Sequence, residues 1–442
     1  MGIYQVYRSK LSTAEEAVKT VKSGDFIQYN SFNGVPPLID RALAERKEEL
    51  EGVIINCSLG LYPLHTASSD PSCQHFIYNC WHCSGSDRSL SNYFYVPALY
   101  YEMPKTVRSK MRDTVMLQVA PMDRHGNFNF GPNGGHIGEL IRNAKKVIVE
   151  VNENMPVALG GNDTSVNIAM VDAVVEGDNQ PMITIPLPQP DDEDYSIARW
   201  VVNEIPDGAC VQLGIGTMPN VIGELIADSD LKDLGVHSEM LAEAYLNMYR
   251  AGKISGLKKG MDIGRMAYIF SLGTQDMYDF IDNNPLCAMY PVDYINTPSQ
   301  IAGNRNMIAI NNALEIDLFS QINSESIGTR QISGTGGQVD FMLGAYLSEG
   351  GKGIICMKST YTNNKGEVSS RIRGALSKGT IVTVPRTIVH YVATEYGIIN
   401  LKGKSTWERA EALISIAHPS FREELTKEAQ EMHIWTKINK IA

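Results

Sequence analysis

The stretch that decides the fold lies at residues 206–227, which read PDGACVQLGIGTMPNVIGELIA. The run at residues 210–213 has the composition of a short buried strand, and glycines, a proline and a helix-like pattern follow it. Residues 23–46, SGDFIQYNSFNGVPPLIDRALAER, repeat this order of strand, glycine, proline and helix. A unit that occurs twice predicts a duplicated architecture.

A second, fainter repeat supports the first. Residues 127–151 and 321–357 both begin with a short Asn- or Gln-containing segment and continue through glycines, a helix-like stretch and a β-branched strand. Strands that alternate with helical segments predict parallel sheets with helices on their faces. We therefore predict an α/β protein with two similar open domains, pseudo-duplicated and built on mainly parallel sheets.

The boundary between these domains is predicted in residues 186–195, which read PLPQPDDEDY. This segment is rich in proline and then acidic, which is typical of a linker and not of a core element. The predicted domains are residues 1–190 and 191–442, the second carrying the candidate catalytic residue. A chain of 442 residues also favours two domains over one core.

Composition excludes several classes of protein. The net charge of −11 opposes binding to nucleic acid or to an anionic membrane surface. The longest apolar runs are too short to span a bilayer, and residues 1–10 lack the apolar core of a secretory signal. Seven cysteines without regular spacing suit a reducing compartment, so the sequence predicts a cytoplasmic protein.

The first candidate binding segment is the glycine loop at Gly214, Ile215, Gly216, Thr217 and Met218. It follows a predicted strand and opens a helix, where outward-facing amides suit a phosphate or a developing oxyanion. Proline replaces the third glycine of a dinucleotide-binding fingerprint, which disfavours a nicotinamide dehydrogenase. A strand-to-helix turn without a ligand is the alternative interpretation.

Glu239 is the candidate catalytic residue. Residues 234–240 read LGVHSEM and place this carboxylate at the end of a strand in an apolar setting. Ligands of open α/β sheets bind beyond the carboxyl ends of the strands, and a carboxylate can attack an activated acyl group. The alternative interpretation is a surface glutamate that caps a helix or forms a salt bridge. His237 and Glu239 could suggest a pair of metal ligands, but no third ligand is in view, so no metal site is predicted.

A second glycine-rich turn precedes another predicted helix. Residues 331–341 read QISGTGGQVDF and contain Gly334, Gly336 and Gly337. Glycines at this density let the backbone approach a ligand and adopt positive φ angles. Because a thioester carbonyl that becomes tetrahedral needs amides aimed at its oxygen, two glycine loops near one carboxylate would suit acyl transfer.

Cys80 and Cys83 have the C-x-x-C spacing of a zinc or redox site, with His75 and His82 nearby. No second C-x-x-C pair occurs, and the aromatic neighbours favour a strand and a pocket wall. The role of the two cysteines stays open at this point.

Taken in order, these segments resemble the class I CoA-transferases of the acetyl-CoA hydrolase/transferase group, and within it the butyryl-CoA:acetate and 4-hydroxybutyrate types. The resemblance covers essentially the whole chain. It rests on the glycine loop, the Glu239 segment, the second glycine-rich turn and residues 118–123 (QVAPMD), 149–156 (VEVNENMP), 394–397 (TEYG), 401–403 (LKG) and 417–419 (AHP).

The resemblance implies a role for each matching residue. Glu239 would be the nucleophile and the Ile215 amide half of an oxyanion hole, while the glycines of the second turn would lie near the CoA thioester. Asn296 and Asn311 would line the active site or the CoA channel, and Lys358 is the candidate partner of a CoA phosphate.

The resemblance also implies a ping-pong exchange of CoA between short-chain carboxylic acids, through a glutamyl-CoA thioester. The substrates would be butyryl-CoA and acetate, no tightly bound cofactor would be needed, and the protein would be a homo-oligomer. Alternatives are a transferase for 4-hydroxybutyrate or another short-chain acid, an acyl-CoA hydrolase and a non-catalytic sensor of CoA esters. The acid preference stays open because Cys83 and residues 241–243 depart from the butyryl-type pattern.

Overall fold

The computed structural model describes residues 2–186, 189–214 and 216–434. The chain divides into two compact units, which consist of Met1–Pro186, Ala267–Ile295 and Ile332–Gly336, and of Leu187–Met266, Asn296–Gln331 and Gly337–Ala442. The units alternate along the chain, and the single domain boundary after residue 190 stays a prediction.

The helices of the described residues are numbered in chain order. They span α1 Ile3–Lys10, α2 Ala14–Val18, α3 Pro37–Glu45, α4 His65–Ser69, α5 Met103–Arg108, α6 Ile137–Arg142, α7 Asp192–Val202, α8 Thr217–Asp228, α9 Glu243–Arg250, α10 Gln275–Ile281, α11 Val292–Ile295, α12 Pro298–Ala302, α13 Gln338–Leu347, α14 Thr406–Ser415 and α15 Pro419–Glu431. None of them is long and apolar enough to cross a bilayer.

The strands are numbered in the same way. They span β1 Phe26–Tyr29, β2 Val53–Cys57, β3 Phe76–Cys80, β4 Phe94–Tyr95, β5 Arg112–Val119, β6 Asn127–Asn129, β7 Ala144–Val151, β8 Ser165–Asn167, β9 Ala173–Glu176, β10 Cys210–Leu213, β11 Gly235–His237, β12 Met240–Leu241, β13 Met266–Tyr268, β14 Phe270–Ser271, β15 Cys287–Met289, β16 Met307–Asn312, β17 Glu315–Asp317, β18 Ile322–Asn323, β19 Ser326–Ile327, β20 Arg330–Gln331, β21 Lys352–Cys356, β22 Thr360–Thr362, β23 Val368–Ser370, β24 Ile372–Arg373, β25 Tyr391–Thr394 and β26 Gly397–Asn400.

The first unit contains a parallel sheet with the strand order β4-β3-β2-β1-β5-β7-β9. All four residues of β1 are buried, as expected for a central strand between two layers of helices. One apolar cluster joins α2 and α3 to the sheet, and another contains α6 and the second face of β5 and β7. The sheet is therefore covered on both faces.

The second unit repeats this topology. Its parallel strands follow the order β11-β10-β16-β21-β25, and β26 adds an antiparallel edge. In both units the first strand lies between the second strand and one that follows later in the chain, β5 in the first unit and β16 in the second, so that β10 corresponds to β1 and β16 to β5. The predicted pseudo-duplicated α/β fold is confirmed.

This topology fixes where a ligand crevice forms in the second unit. The chain leaves β10 toward β11 on one side and later returns to β16 on the other side. Loops that follow the two flanking strands diverge at such a switch point and leave an opening beyond their carboxyl ends. The opening beyond β10 and β16 is therefore the place to look for function.

Two helices begin in segments marked by acidic residues or proline. In the acidic part of the segment predicted to contain the linker, Asp191 caps α7 by accepting a hydrogen bond from the Asp194 amide at 3.1 Å. Acidic side chains in a first turn are stabilised by the positive end of the helix, which explains the run of charges. Helix α8 begins at Thr217, and Pro219 is tolerated in its first turn because the amide that proline lacks would have no helical partner there.

Candidate active site

Glu239 is the second residue after β11, at the carboxyl edge of the second unit's sheet, and its side chain is half-buried. Its Oε2 atom accepts a hydrogen bond from Nδ2 of Asn296 at 3.0 Å. The backbone N–H of Gly337 donates a second hydrogen bond to the same carboxylate. The carboxylate of Glu239 is thus held by the side chain of Asn296 and by the backbone amide at the start of α13.

Asn296 connects this carboxylate to a second one. The side chain of Asn296 is fully buried, and its Nδ2 atom also donates to Oδ2 of Asp340 at 3.1 Å. Asp340 lies in the first turn of α13 and exposes only 1% of its surface. The Asn296 amide group therefore lies between two carboxylates, and sequence reasoning did not identify Asp340.

The surroundings of Glu239 change its acidity. Burial raises the pKa of Glu239 from 4.5 to about 7, although the hydrogen bonds from Asn296 and Gly337 act in the opposite direction. A poorly hydrated carboxylate that is partly ionised near neutral pH is well suited to attack a carbonyl. The glutamate predicted to be catalytic therefore has an environment that an ordinary surface glutamate lacks.

Gly337 is required at its position by close approach. A Cβ atom built there would overlap the Glu239 carboxylate and the Nδ2 atom of Asn296. The backbone has a φ of −92°, which any residue adopts, so the requirement comes from space and not from conformation. Gly337 thus lies beside the Glu239 carboxylate because only a residue without a side chain fits there.

The predicted glycine loop follows β10 at the switch point. Gly214 has nothing within 4 Å of an ideal Cβ position, so the surface at this residue is open. Gly216 has a φ of 112° and caps α8, a conformation that favours glycine. Thr217 and Met218 form the first turn of α8, while Ile215 lies outside the described residues.

Asn311 lies on the other side of the switch point, near the end of β16. Its Nδ2 atom donates to Oε1 of Gln212 on β10 at 3.0 Å. Gln338, the first residue of α13, donates from its Nε2 atom to the Asn312 carbonyl at 3.0 Å. These amides tie the two strand ends and α13 together. Gln212 and Gln338 were missed as contributors, although both stand inside the quoted motifs.

Gly334 and Gly336 belong to the first unit. An ideal Cβ on Gly334 would lie 2.9 Å from the Trp81 carbonyl oxygen, and Gly336 has a φ of 52°. The neighbouring Thr335 amide donates to the Tyr95 hydroxyl at 3.0 Å. The glycine-rich turn is thus packed closely against the segment that follows β3.

Lys358 is surrounded by carboxylates. It forms ion pairs with Asp191, with Glu193 at 3.7 Å and with Asp194 at 3.4 Å. These contacts raise the pKa of Lys358 against the opposing effect of burial. The lysine predicted to bind a CoA phosphate therefore neutralises the first turn of α7 here.

The C-x-x-C cysteines are both buried, and their Sγ atoms lie 3.2 Å apart. Burial and the neighbouring Cys83 raise the pKa of Cys80, which keeps its thiol protonated. Among the residues that the structure describes, no three His, Cys, Asp or Glu side chains form a cluster that would hold a metal ion.

Comparison with known proteins places both halves of the chain in one family. Residues 1–186 match the acetyl-CoA hydrolase/transferase N-terminal domain, and residues 273–429 match the C-terminal domain. The chain is 46% identical to a butyryl-CoA:acetate CoA-transferase of Anaerostipes caccae over 446 residues, covering 100% of both. It is 47% identical to a probable butyrate:acetyl-CoA coenzyme A-transferase of Syntrophomonas wolfei, covering 99% of each. The crystal structure of RipA from Yersinia pestis superimposes with a TM-score of 0.90 at 35% identity, covering 98% of this chain and 100% of that one.

Proposed function

Because this chain belongs to the acetyl-CoA hydrolase/transferase family, we propose that it is an acyl-CoA:carboxylate CoA-transferase that moves CoA from butyryl-CoA to acetate. The observation that carries the proposal is the carboxylate of Glu239, whose pKa burial raises to about 7 while two hydrogen-bond donors hold it. The two relatives named after butyryl or butyrate exchange support the choice of acids.

In the first half-reaction the Glu239 carboxylate attacks the thioester carbonyl of butyryl-CoA. A C–O bond forms and the C–S bond breaks, which gives a mixed anhydride and the CoA thiolate. The thiolate then attacks the glutamyl carbonyl, so butyrate leaves and a glutamyl-CoA thioester remains. In the second half-reaction acetate attacks this thioester, and the same two steps in reverse order release acetyl-CoA and restore Glu239.

Asn296 and Gly337 have a direct role in these reaction steps. Both donate to the carboxylate of Glu239 in the resting protein. When thiolate or acetate attacks the glutamyl carbonyl, negative charge develops on an oxygen of this same group. Donors that are already aimed at that oxygen stabilise the charge without reorganisation, which is the usual basis of oxyanion stabilisation.

The remaining predicted residues are proposed to bind the substrate. Gly214, Gly216 and the start of α8 at Thr217 and Met218, together with Asn311, lie at the carboxyl ends of β10 and β16. Gly334 and Gly336 approach the thioester in this proposal, and the Ile215 amide serves the acyl oxyanion. Lys358 binds a CoA phosphate only by exchanging its carboxylate partners for that phosphate. Binding energy from the distant part of CoA then stabilises the reactive intermediates.

A CoA-ester hydrolase is the second candidate, since the family description covers hydrolases as well as transferases. Such an enzyme would use the same glutamate and admit water to the acyl-enzyme. A transferase must exclude water, because either activated form of Glu239 is open to hydrolysis. The two functions differ in whether free CoA is released without an acceptor acid.

The experiment is an intact-mass measurement after incubation with butyryl-CoA and no acceptor, with Glu239→Gln as the matched control. We expect the wild type to gain the mass of CoA less one water, and to lose it when acetate is added, whereas the variant gains nothing. Release of free CoA without an adduct would favour the hydrolase. An adduct that persists in the variant would remove Glu239 from the mechanism. Light scattering tests the accompanying proposal of a homo-oligomer.

A further inference from the structure

The side-chain amide of Asn296 has hydrogen-bond partners on one side only. Nδ2 donates to Glu239 at 3.0 Å and to Asp340 at 3.1 Å. Its Oδ1 atom is buried and has no hydrogen-bond partner among the described residues. No hydrogen bond to the oxygen therefore fixes the orientation of the Asn296 amide. Its orientation depends on the two carboxylates that accept from the nitrogen.

Glu239 and Asp340 differ in whether their chemical state changes during the proposed reaction. During the proposed reaction Glu239 becomes an anhydride and then a thioester, and its oxygen changes from an anionic acceptor to a weaker neutral one. Asp340 takes no part in the bond changes. It lies in the first turn of α13, and its Oδ2 atom accepts a hydrogen bond from Asn296.

A rotated Asn296 amide would turn its oxygen toward Oδ2 of Asp340, the atom that accepts from Asn296 in the structure. That orientation places an acceptor against an acceptor in a buried site, where unpaired polar groups are costly. With Asp340 in place as an acceptor, Asn296 keeps its nitrogen toward Glu239 even while Glu239 carries CoA or an acyl group.

We propose that Asp340 is a positioning residue that holds the Asn296 amide with its nitrogen toward Glu239 throughout the reaction. This inference rests on the proposed CoA-transferase function. It assigns to Asp340 an effect that acts through Asn296 and not on the substrate. Loss of Asp340 should lower kcat and leave the KM for butyryl-CoA nearly unchanged.

The test is a double-mutant cycle on the rate of CoA-adduct formation and on kcat. We expect Asn296→Ala to lower kcat about a hundredfold, as removal of an oxyanion donor does, and Asp340→Ala to lower it at least about tenfold. In the Asn296→Ala background, Asp340→Ala should change kcat by less than about twofold, because the group through which it acts is gone. An equal loss in both backgrounds, or no loss in either, overturns the proposal.

Two further variants separate positioning from a loss of structure. Glu408→Gln is the matched control, because Glu408 is a carboxylate in the first turn of another helix, α14, and is only partly buried. It should leave kcat within about twofold. If Asp340→Ala does not fold, Asp340→Asn takes its place in the cycle. The expected loss is then about tenfold, since an amide at position 340 can donate to the Asn296 oxygen and lets that amide rotate.

A second cycle on the urea unfolding midpoint uses the same four proteins and requires no catalytic activity. Coupling between positions 296 and 340 in unfolding supports their contact, and additivity of the two substitutions contradicts it. If the wild type forms no adduct and exchanges no CoA, the proposed function fails, while this cycle still decides whether Asp340 holds Asn296.

Discussion

The backbone N–H of Gly337 donates to the carboxylate of Glu239 at a position where no side chain fits. The nearest atoms to a Cβ at position 337 belong to Glu239 and to Asn296, which hold the site together. The glycine therefore sets how closely the start of α13 approaches the Glu239 carboxylate. Because its φ of −92° is open to any residue, a substitution here changes contact and not backbone strain.

Gly337→Ala is expected to lower the rate of CoA-adduct formation on Glu239 about a hundredfold or more. The added methyl group displaces the carboxylate from its amide donor, and loss of one such donor costs about 10²–10³ in rate. The rate is measured by mass spectrometry after rapid mixing with butyryl-CoA.

Gly85→Ala is the control for this substitution. Gly85 is exposed, and a Cβ there meets only the Arg88 side chain at 3.6 Å, an ordinary contact. This variant should react like the wild type. A Gly337→Ala protein that reacts equally fast would show that the close approach to Glu239 has no catalytic importance.

The pH dependence of kcat/KM for butyryl-CoA should report the ionisation of Glu239 in the free enzyme. Only the carboxylate attacks, so kcat/KM is expected to rise tenfold per pH unit well below neutrality and to level off above a pKa of about 7. A profile that is flat from pH 5.5 to 8.5 would mean that Glu239 keeps the acidity of an exposed glutamate. Asn296→Ala removes a donor to the carboxylate and should move the midpoint upward.

The sequence predicts those parts of the architecture that depend on local patterns of residues. The order of strand, glycine, proline and helix in residues 23–46 and 206–227 sufficed to predict two similar parallel sheets. Glu239 and Gly337 also stand in local motifs, and a hydrogen bond joins the second glycine-rich turn to this carboxylate, while a role for the first glycine loop stays a prediction. Residue types at fixed spacing carry this information.

The parts that sequence reasoning missed depend on contacts between distant segments. Nothing in the spacing of Asp340 shows that Asn296, 44 positions earlier, donates to it. The acidic run that caps α7 was interpreted as a linker because composition alone does not distinguish a solvated charge run from a helix start. The ion pairs of Lys358 were also not visible in the sequence, because its three carboxylate partners lie more than 160 positions away, while its role toward a CoA phosphate stays a prediction.

Glu239→Gln is expected to stabilise the folded protein, increasingly so as the pH rises from about 4.5 to above 7. The pKa of Glu239 is raised from 4.5 to about 7 by folding, so the folded wild type binds more protons than the unfolded chain in this window. Its stability relative to the Gln variant therefore falls as pH rises through the window. We expect a gain on the order of 1–3 kcal/mol at pH 8, since one pKa unit corresponds to about 1.4 kcal/mol.

Urea unfolding of both proteins at pH 5 and pH 8 measures this gain. Glu150, whose pKa burial also raises to about 7, is present in both and cancels from the difference. A gain that is equal at the two pH values would point to a packing effect of the amide and not to the charge.

The seven cysteines should differ sharply in reactivity toward a thiol reagent in the native protein. Six are buried, and Cys73 alone is partly exposed. We expect one thiol per chain to react quickly and the others only after denaturation, because modification needs both access and a thiolate. Cys73→Ser should abolish the fast reaction. Rapid labelling of Cys80 or Cys83 would contradict the burial of these two thiols.

Glu150 on β7 is expected to be a structural residue of the first unit. Its Oε2 atom accepts hydrogen bonds from the Leu38 and Ile39 amides at 3.0 Å each, in the first turn of α3. The residue that precedes this helix, Pro36, has no polar side chain with which to cap it. The Glu150 carboxylate on β7 therefore accepts the hydrogen bonds that an N-cap side chain would otherwise accept.

Glu150→Ala should lower the free energy of unfolding by about 2–4 kcal/mol, because each buried amide left without an acceptor costs about 1–3 kcal/mol. Glu150→Gln keeps an oxygen for the two amides and should lose less than half as much. The midpoint of urea unfolding measures both variants, and the rate of CoA-adduct formation per folded molecule should stay within about twofold of wild type. If Ala and Gln lose equally little, water or another side chain caps α3 and the carboxylate is dispensable there.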